Sequence, residues 1–503
     1  MSNSLQSPDP EKAFRGDDGT FKGAPSNDHN VVGPSALEWD SPADPDNPKN
    51  WKMRQRVPIA GVIIVIGFLA GFISSASVPG TPGTQAEFHV QNKIIATLPT
   101  SLYVLGFGLG PYVLAPLSEL YGRKIVYQAT ISSFTLIQIG CALSPSLPTL
   151  IILRLIAGCF GSIAPSLGPA SMSDLFAAHE RGISNSLLSI GVLTGPPMGT
   201  VIGSFVVSAK PWPWIYWLTT AFSGIVLIAN VLFFKETYEP FILRRRLRKR
   251  SQHTNLSSSV PGIQDVTTLF LRAITRPLRF MYTSPIVMIL GAFQAYSFAM
   301  LYLILVSLPL LFGSDHQVSK SNNLFTYNFT PIQEGLSYLG LVIGFILGGT
   351  FQMRAQTFIY RTLTEKNGVG RPEYRLLPMT ISAVFFPIGL LWYGWSAEAH
   401  RHWILPEIGL VIFAFGVFLN FQSVQLYVAE AFIPFSASAL AAITLLRCIA
   451  GAAFPLFGQA MFIKLGYGWA STVLAMLFIP AVPVPWVLYR VGERLRNRFP
   501  FKP

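Results

Sequence analysis

Charged residues are scarce in this sequence. Asp, Glu, Lys and Arg make up 12% of the 503 residues, whereas hydrophobic residues make up 51%. A soluble globular domain carries about 25% charged residues. A chain of this length with half that share cannot cover a water-soluble surface. The surplus apolar area therefore predicts contact with lipid.

Cysteine is also rare, and its placement argues against a disulfide framework. Cys141, Cys159 and Cys448 are single residues within apolar segments, where a thiol packs as a small apolar side chain. The sequence has no CxxC pair or Cys/His cluster that could hold a metal. We therefore expect neither a metal nor another cofactor.

Patterns that would indicate other functions are missing as well. There is no GxxxxGK[ST] phosphate-binding loop to support ATP-driven transport. No nucleophile–base pair stands out, so an enzyme is the least favoured class. The net charge is +13, but the basic residues lie beside apolar runs, where they contact lipid head groups rather than nucleic acid.

Twelve apolar segments approach the roughly 20 residues that cross a bilayer as a helix. The expected segments are 57–79, 94–117, 124–144, 149–172, 183–207, 213–234, 283–312, 334–354, 375–396, 403–426, 437–463 and 468–490. They predict an all-α polytopic membrane protein with an N-terminal six-helix bundle at 57–234 and a C-terminal one at 283–490.

The segments outside the bundles are polar or basic. Residues 1–56 predict a disordered cytosolic N-terminus with no signal peptide, and 491–503 a cytosolic tail. Residues 235–282 form a cytosolic linker that begins with a basic strip from Lys235 to Arg250. That strip either lies along the membrane surface as a helix or is simply solvated.

The distribution of positive charge predicts the orientation. Of 37 Lys and Arg, the loops on one side hold only Lys93, Lys210, Lys320, Arg401 and Lys464. Because Lys and Arg accumulate on the cytosolic side, both termini and the linker are expected there. Two halves joined in this way are the plan of a secondary transporter with substrate bound at the midplane.

The loop between the second and third segments, Pro116–Lys124, has the features of an inner gate. Gly122 permits a tight turn, Arg123 and Lys124 can hold the ends of neighbouring helices, and Glu119 can pair with a cation. The alternative is a positively charged loop with a turn glycine.

The fifth segment carries a regular glycine pattern. Gly191, Gly195, Gly199 and Gly203 recur every four residues, so they share one helix face and allow close approach of another helix. Pro196, together with the proline that follows it, is expected to bend the helix. The alternative is small-residue packing without a further role.

These stretches resemble motifs of the major facilitator superfamily. Glu119 stands three places before Gly122-Arg-Lys, as the acidic residue of the family's loop motif does, although Leu120 and Ala115 depart from it. The stretch Pro-Leu-Ser-Glu-Leu-Tyr-Gly-Arg is similar to the corresponding loop of the fungal drug:proton antiporter branch, whose members have twelve helices. The resemblance covers about residues 46–495.

The same resemblance implies a direction and a coupling ion. Gly195-Pro196-x-x-Gly199 resembles the motif of the family's antiporters, with Thr200 in place of its last glycine. Arg154 resembles the family's intramembrane arginine, for which a role in proton transfer is proposed. Alternatively, Arg154 lies near the outer helix end and reaches the interface.

Polar residues within the predicted helices are candidates for a substrate cavity. As a set, amides and aromatic rings suit amphipathic organic molecules, although any one of them can instead bond a neighbouring helix. The candidates are Gln138, Gln294, Tyr296, Asn420, Gln422 and Gln425.

No carboxylate stands at the middle of a predicted helix, so the proton-binding group is hard to identify. Glu430 is the candidate because the resembling branch has an aspartate there, and its position near a helix end also suits a gate. Arg447, like Arg154, is an intramembrane cation that suits proton coupling or an anionic substrate.

Together these features predict a monomeric plasma-membrane antiporter that exports drugs, toxins or secondary metabolites in exchange for protons. Asn328, in an Asn-Phe-Thr sequon of an outer loop, is a candidate glycosylation site. The alternatives are a carrier of one metabolite such as an organic acid, a non-transporting membrane sensor, and a vacuolar location.

Overall fold

The structure is a computed structural model. It describes residues 39–41, 43–176, 180–252, 274–313, 324–432 and 435–499. Within these ranges the chain is almost entirely helical and contains no β-strand. Most of the predicted N-terminal disordered segment and part of the predicted linker lie outside the described residues.

The helices up to and including the linker are α1 (Met53–Ala76), α2 (Thr81–Glu87), α3 (Lys93–Leu109), α4 (Pro111–Tyr121), α5 (Arg123–Ala142), α6 (Leu147–Gly161), α7 (Ile163–Leu175), α8 (Arg181–Ala209), α9 (Pro213–Phe233) and α10 (Glu239–Gln252). The helices after it are α11 (Pro285–Phe312), α12 (Pro331–Leu336), α13 (Leu339–Asn367), α14 (Leu377–Glu398), α15 (Ile404–Ala431), α16 (Ser436–Phe478) and α17 (Val484–Arg498).

The described helices supply twelve membrane spans. Ten helical stretches are long and apolar enough to cross a bilayer, and the bent pair α3–α4 makes eleven. The stretch Ser436–Arg498 has 63 residues, which is about 95 Å at 1.5 Å per residue and far exceeds one span. Gly466, with φ 75° and ψ 171°, divides it into two. The predicted fold class is therefore confirmed.

Two predicted segments are each broken in two. The second, expected at 94–117, bends by 40° after α3, where Pro111 begins α4. A Cβ on Gly110 would lie 2.1 Å from the carbonyl oxygen of Cys159, so this break lets the second span press against the fourth. The fourth, expected at 149–172, is interrupted at Ser162.

The end of one further helix differs from the sequence prediction. The eighth span was expected to end at 354, but α13 continues to Asn367 and stops where Gly368 adopts φ 73°. Its last turns are polar, so an apolar count cannot detect them. Helix α8 runs unbroken through Pro196 and the next proline, and the bend expected there stays a prediction.

The two halves meet along two edges, where α3 packs against α16 and α8 packs against α13. Because successive spans alternate in direction, Arg123 and Arg375 lie at the same end of the bundle, which we call the Arg123 face. Trp212 and Tyr327 lie at the opposite end, the Tyr327 face. These two faces are the ends at which a central path would open.

Candidate functional site

A cleft lies between the halves. It is bounded by α7 and α8 of the first half and by α15 of the second, in the parts of these helices nearer the Arg123 face. Its lining is apolar with several amides and a hydroxyl, and it contains no charged side chain. The lining residues are Pro165, Pro169, Asn185, Leu188, Ser189, Val192, Phe421, Gln422, Gln425, Leu426 and Ala429.

Two of the predicted cavity residues reach this cleft. Gln425 lines it, and so does Gln422, whose amide oxygen accepts a hydrogen bond from Ser189 and whose nitrogen donates to Ser186 over 3.4 Å. These bonds connect the two halves across the cleft. Asn185 and Ser189 were missed, because a short polar residue near a helix end has no sequence signal that separates it from a surface residue.

The other four predicted cavity residues are part of the helix packing. Gln138 accepts from Thr219 over 3.4 Å. The Tyr296 hydroxyl donates to the carbonyl of Leu474. Asn420 donates to the Ser297 hydroxyl over 2.6 Å. The side chain of Gln294 is buried, and neither of its amide atoms has a partner. The bonds of Gln138, Tyr296 and Asn420 thus join neighbouring helices, and Gln294 is buried without such a bond.

The predicted gate loop is organised by Glu236, a residue from the far end of the first half. Gly122 turns the chain with φ 87°, and a Cβ there would lie 2.4 Å from the Glu236 carboxylate. That carboxylate accepts from the backbone nitrogens of Arg123 (2.9 Å) and Lys124 (3.1 Å). It therefore caps the N-terminus of α5, where negative charge is favoured.

Arg123 is the centre of the gate contacts. Its side chain is 7% exposed and its Nε lies 3.5 Å from the carboxylate of Asp174 at the end of α7. It also donates to the Ser118 hydroxyl over 2.6 Å and stacks over Tyr238 at 4.9 Å. Glu119, expected to pair with a cation, is exposed, and no ion pair joins it to another described residue.

The second half repeats this arrangement. Arg375, just before α14, lies 2.8 Å from Glu430 at the end of α15. Its guanidinium packs 4.0 Å above the ring of Tyr360 and donates to Gln356 over 3.3 Å. Glu430, the predicted proton-binding group, is thus one partner of an ion pair on the Arg123 face, the counterpart of Asp174.

The predicted glycine face of α8 lies directly on α1. A Cβ at Gly195, Gly199 or Gly203 would approach a carbonyl oxygen of α1 to 2.6, 2.1 or 2.3 Å, and one at Gly191 would approach the Ile64 carbonyl to 3.0 Å. The two backbones are therefore in contact over three helical turns. The Pro196 carbonyl accepts a hydrogen bond from Ser75 of α1.

Arg154 is fully buried and binds backbone rather than a carboxylate. It donates to the carbonyls of Ile73 (2.9 Å), Ser74 (2.9 Å) and Pro99 (3.2 Å) and lies 4.4 Å from the ring centre of Tyr103. These contacts hold the end of α1 against α3 and α6. The alternative expectation, that Arg154 reaches the membrane–water interface, is therefore wrong.

Asn328 lies in the loop before α12 and is exposed, with φ 53°. The threonine of its sequon, Thr330, caps α12 by accepting from the backbone nitrogen of Gln333 over 3.4 Å. The loop is held down by Tyr327, whose hydroxyl donates to the carbonyl of Arg401 over 2.6 Å. The sequon is therefore on the Tyr327 face.

The residues before α1 bind the linker helix α10, although they were predicted to be disordered. Arg246 lies 2.7 Å from Asp44 and also bonds Asp46, while the indole of Trp39 donates to Glu239. We call this set of contacts the N-terminal clasp. The adjacent Arg246 guanidinium lowers the pKa of Asp44 to about 2.

The N-terminal clasp is expected to withstand mild acid and to open when Arg246 is removed. Because the folded pKa of Asp44 is depressed, its contribution is complete above the ordinary value of 3.8 and is lost as the pH falls toward about 2. The protection factors of the amides at residues 44–50, which correct exchange for its intrinsic pH dependence, should therefore be unchanged between pH 7 and 5. Arg246→Ala should lower them about tenfold, and exposed Arg244→Ala should not.

A hydrogen bond connects the halves nearer the Tyr327 face. The Tyr302 hydroxyl of α11 lies 2.8 Å from the Ser74 hydroxyl of α1. A neutral hydrogen bond contributes about 1 kcal/mol, which corresponds to roughly a fivefold change in a conformational equilibrium. Its loss should favour states open toward the Tyr327 face.

Tyr302→Phe is therefore expected to reduce the population of the state described here. The measurement is maleimide labelling of an Asn185→Cys variant, which reports on the cleft at the Arg123 side. Labelling should slow severalfold when Tyr302→Phe is added. Faster labelling would mean that Tyr302 holds the opposite side open, contrary to this geometry.

Two helical halves around a cleft, with an ion-pair cluster at the same end of each half, define a polytopic transporter of the two-bundle type. The family model of the Major Facilitator Superfamily matches residues 63–455. The chain belongs to this superfamily.

Relatives and a solved structure agree with this assignment. "Efflux pump radE" of Floropilus chiversii is 35% identical over 469 residues, covering 92% of this chain and 85% of that protein. "MFS-type transporter phm3" of Pyrenochaetopsis sp is 38% identical over 492 residues, covering 95% and 98%. The xylose transporter XylE from E. coli, partially occluded and inward open, superimposes with TM-score 0.58 at 16% identity, covering 87% and 98%; it shows the fold alone.

Proposed function

We propose that this protein is a secondary active transporter that exports small amphipathic organic compounds such as secondary metabolites or drugs. The observation that carries the proposal is the lining of the cleft between the halves, which is apolar but includes the amides of Asn185, Gln422 and Gln425. A lining of this kind suits a molecule with an apolar body and a few polar groups. The name of the relative radE, an efflux pump, supports the direction.

Alternating access would use the two ion-pair clusters as gates. The cleft lies toward the Arg123 face, while Tyr302 and Ser74 join the halves nearer the opposite face. Breaking the contacts of Arg123 and Arg375 with their carboxylates would accompany rocking of the halves. The positive-charge distribution supports a cytosolic Arg123 face with both termini inside and an outward-facing Asn328. The proposed location is the plasma membrane.

Proton antiport is the proposed coupling. It is supported by two carboxylates, Asp174 and Glu430, that lie beside arginines at equivalent places in the two halves. Both pairs are intact in the state described here, whose cleft lies toward the Arg123 face, so protonation of either carboxylate would weaken its ion pair and shift the balance toward the opposite state. The protein would work as a monomer, because the cleft is formed within a single chain.

The test is dye efflux from cells stripped of their own efflux pumps. Cells expressing the protein are loaded with neutral and charged amphipathic dyes, and efflux is followed with and without a protonophore. Gradient-driven efflux by the wild type and its loss in Glu430→Gln are expected. Glu493→Gln is the matched control, since its pair with Arg371 is exposed.

Two results would contradict this proposal. The absence of dye efflux despite correct surface insertion would argue against export of amphipathic compounds. Efflux that continues unchanged in the presence of the protonophore would argue against proton coupling and leave another driving ion.

A further inference from the structure

Arg447 of α16 is a buried cation that has unused hydrogen-bond donors. It is 1% exposed and lies eleven residues after the start of α16, or about 16 Å along the helix. Its Nε and Nη1 have no hydrogen-bond partner, and no ion pair joins it to an acid of the described residues. A guanidinium remains protonated in proteins, and an isolated buried charge is costly.

Arg154 shows how this chain satisfies a buried arginine that has a structural role. It is as deeply buried as Arg447, yet it donates to the three carbonyls of Ile73, Ser74 and Pro99. Arg447 has no equivalent set of acceptors. Arg447 therefore retains hydrogen-bond donors that a ligand could use, whereas the donors of Arg154 are bonded to backbone carbonyls.

Aromatic rings flank Arg447 and connect it to the cleft. The guanidinium lies 4.9 Å from the ring centres of both Phe298 and Phe421. Such cation–π contacts recover part of the desolvation cost while leaving N–H groups free. Phe421 also lines the cleft, so Arg447 lies behind that wall and is separated from the cleft by one side chain.

Arg447 also lies where the two halves meet. A Cβ on Gly108 of α3 would lie 2.7 Å from the Cβ of the adjacent Cys448, and Gly451 one turn later faces Val104 of α3. The α3–α16 contact is one of the two edges along which the halves pack. A ligand held by Arg447 would thus interact with a region that changes when the halves rock.

We propose that Arg447 binds the anionic group of the transported compound, and that the substrates are amphipathic organic acids. The inference rests on the proposed transport function and specifies its substrate class. A rotation of the Phe421 side chain would extend the cleft to the guanidinium, whose Nε and Nη1 would then donate to carboxylate or phenolate oxygens. The apolar body would remain in the cleft. With no acidic residue in the lining, a cationic compound would find no counter-charge there.

The test compares an anionic and a cationic dye of the same ring system, fluorescein and rhodamine 123, in cells without other efflux pumps. The wild type should export fluorescein about tenfold faster or more. Arg447→Gln should lower fluorescein export about tenfold and leave rhodamine 123 export unchanged, because only the anion uses the guanidinium. Arg447→Lys should retain an intermediate rate, and exposed Arg401→Gln the full rate.

Thermal unfolding of the purified protein separates binding from folding. Arg447→Gln should unfold at the same or a higher temperature than the wild type, since it removes an uncompensated buried charge, whereas Arg154→Gln should unfold at a lower one. Fluorescein should raise the unfolding temperature of the wild type but not of Arg447→Gln.

Three outcomes would overturn the inference. Equal export of both dyes, unaffected by Arg447→Gln, would leave an exporter that is not selective for acids. Export rates that depend on the chloride concentration and not on the charge of the dye would mean that Arg447 binds an inorganic anion instead of the substrate. Export of neither dye, with no shift in unfolding temperature, would count against both the inference and the proposed function.

Discussion

Gly199→Val is expected to prevent accumulation of folded protein. A Cβ at this position would lie 2.1 Å from the Phe72 carbonyl oxygen, and a backbone atom cannot move aside as a side chain can. Overpacking of this kind costs up to about 3 kcal/mol, a large part of the stability of a typical protein. The measurement is the unfolding temperature and monodisperse yield of the protein in detergent.

Gly61→Val is the matched control for this substitution. Gly61 lies in α1, the partner of α8, and has nothing within 4 Å of its added Cβ. It should fold as well as the wild type, because the added side chain meets no neighbour and valine is a better helix former than glycine. If Gly199→Val were equally well tolerated, α1 and α8 would not pack backbone to backbone.

Arg123→Ala is expected to abolish transport while the protein still reaches the membrane. The change leaves the Asp174 carboxylate without its cation in a mostly buried position, and loss of one partner of a buried ion pair costs about 3 kcal/mol. This corresponds to roughly a hundredfold shift in the balance between states. Initial rates of dye efflux, corrected for surface expression, provide the measurement.

Two further variants test whether the ion pair itself is responsible. Arg371→Ala removes an arginine from an exposed pair on the Arg123 face and should change transport little. The double variant Arg123→Ala with Asp174→Asn should recover part of the activity, because it no longer has an unpaired carboxylate at position 174. A double variant no better than Arg123→Ala would assign the effect to the Ser118 or Tyr238 contacts.

Because the protein crosses a bilayer, the number of its spans can be predicted from the sequence, but the shape of each span cannot. A helix must supply about 20 apolar residues to cross, so the number of spans follows from counting. The breaks at Gly110 and Ser162 could not be predicted this way, because they depend on contact between the second and fourth spans. The polar end of α13 was missed for a related reason, since it extends beyond the apolar run.

The candidate site was predicted in part. Arg123 was placed at a gate because it follows the turn at Gly122 in a stretch that resembles the family's loop motif, but its partners come from residues far along the chain, Asp174 and Glu236. Polar residues inside helices were identified without distinguishing those that face a cleft from those that bond a neighbour. Lipid-facing and core-facing positions are both apolar, so periodicity does not separate them.

The N-terminal clasp imposes an order on synthesis. Asp44 and Arg246 are separated by 202 residues, so Asp44 leaves the ribosome long before its partner. At 5–20 residues per second this delay is roughly 10 to 40 seconds, during which the first six spans must enter the membrane. The contact can form only on a chain whose first bundle has already been translated. Its formation therefore marks the point at which that half is complete.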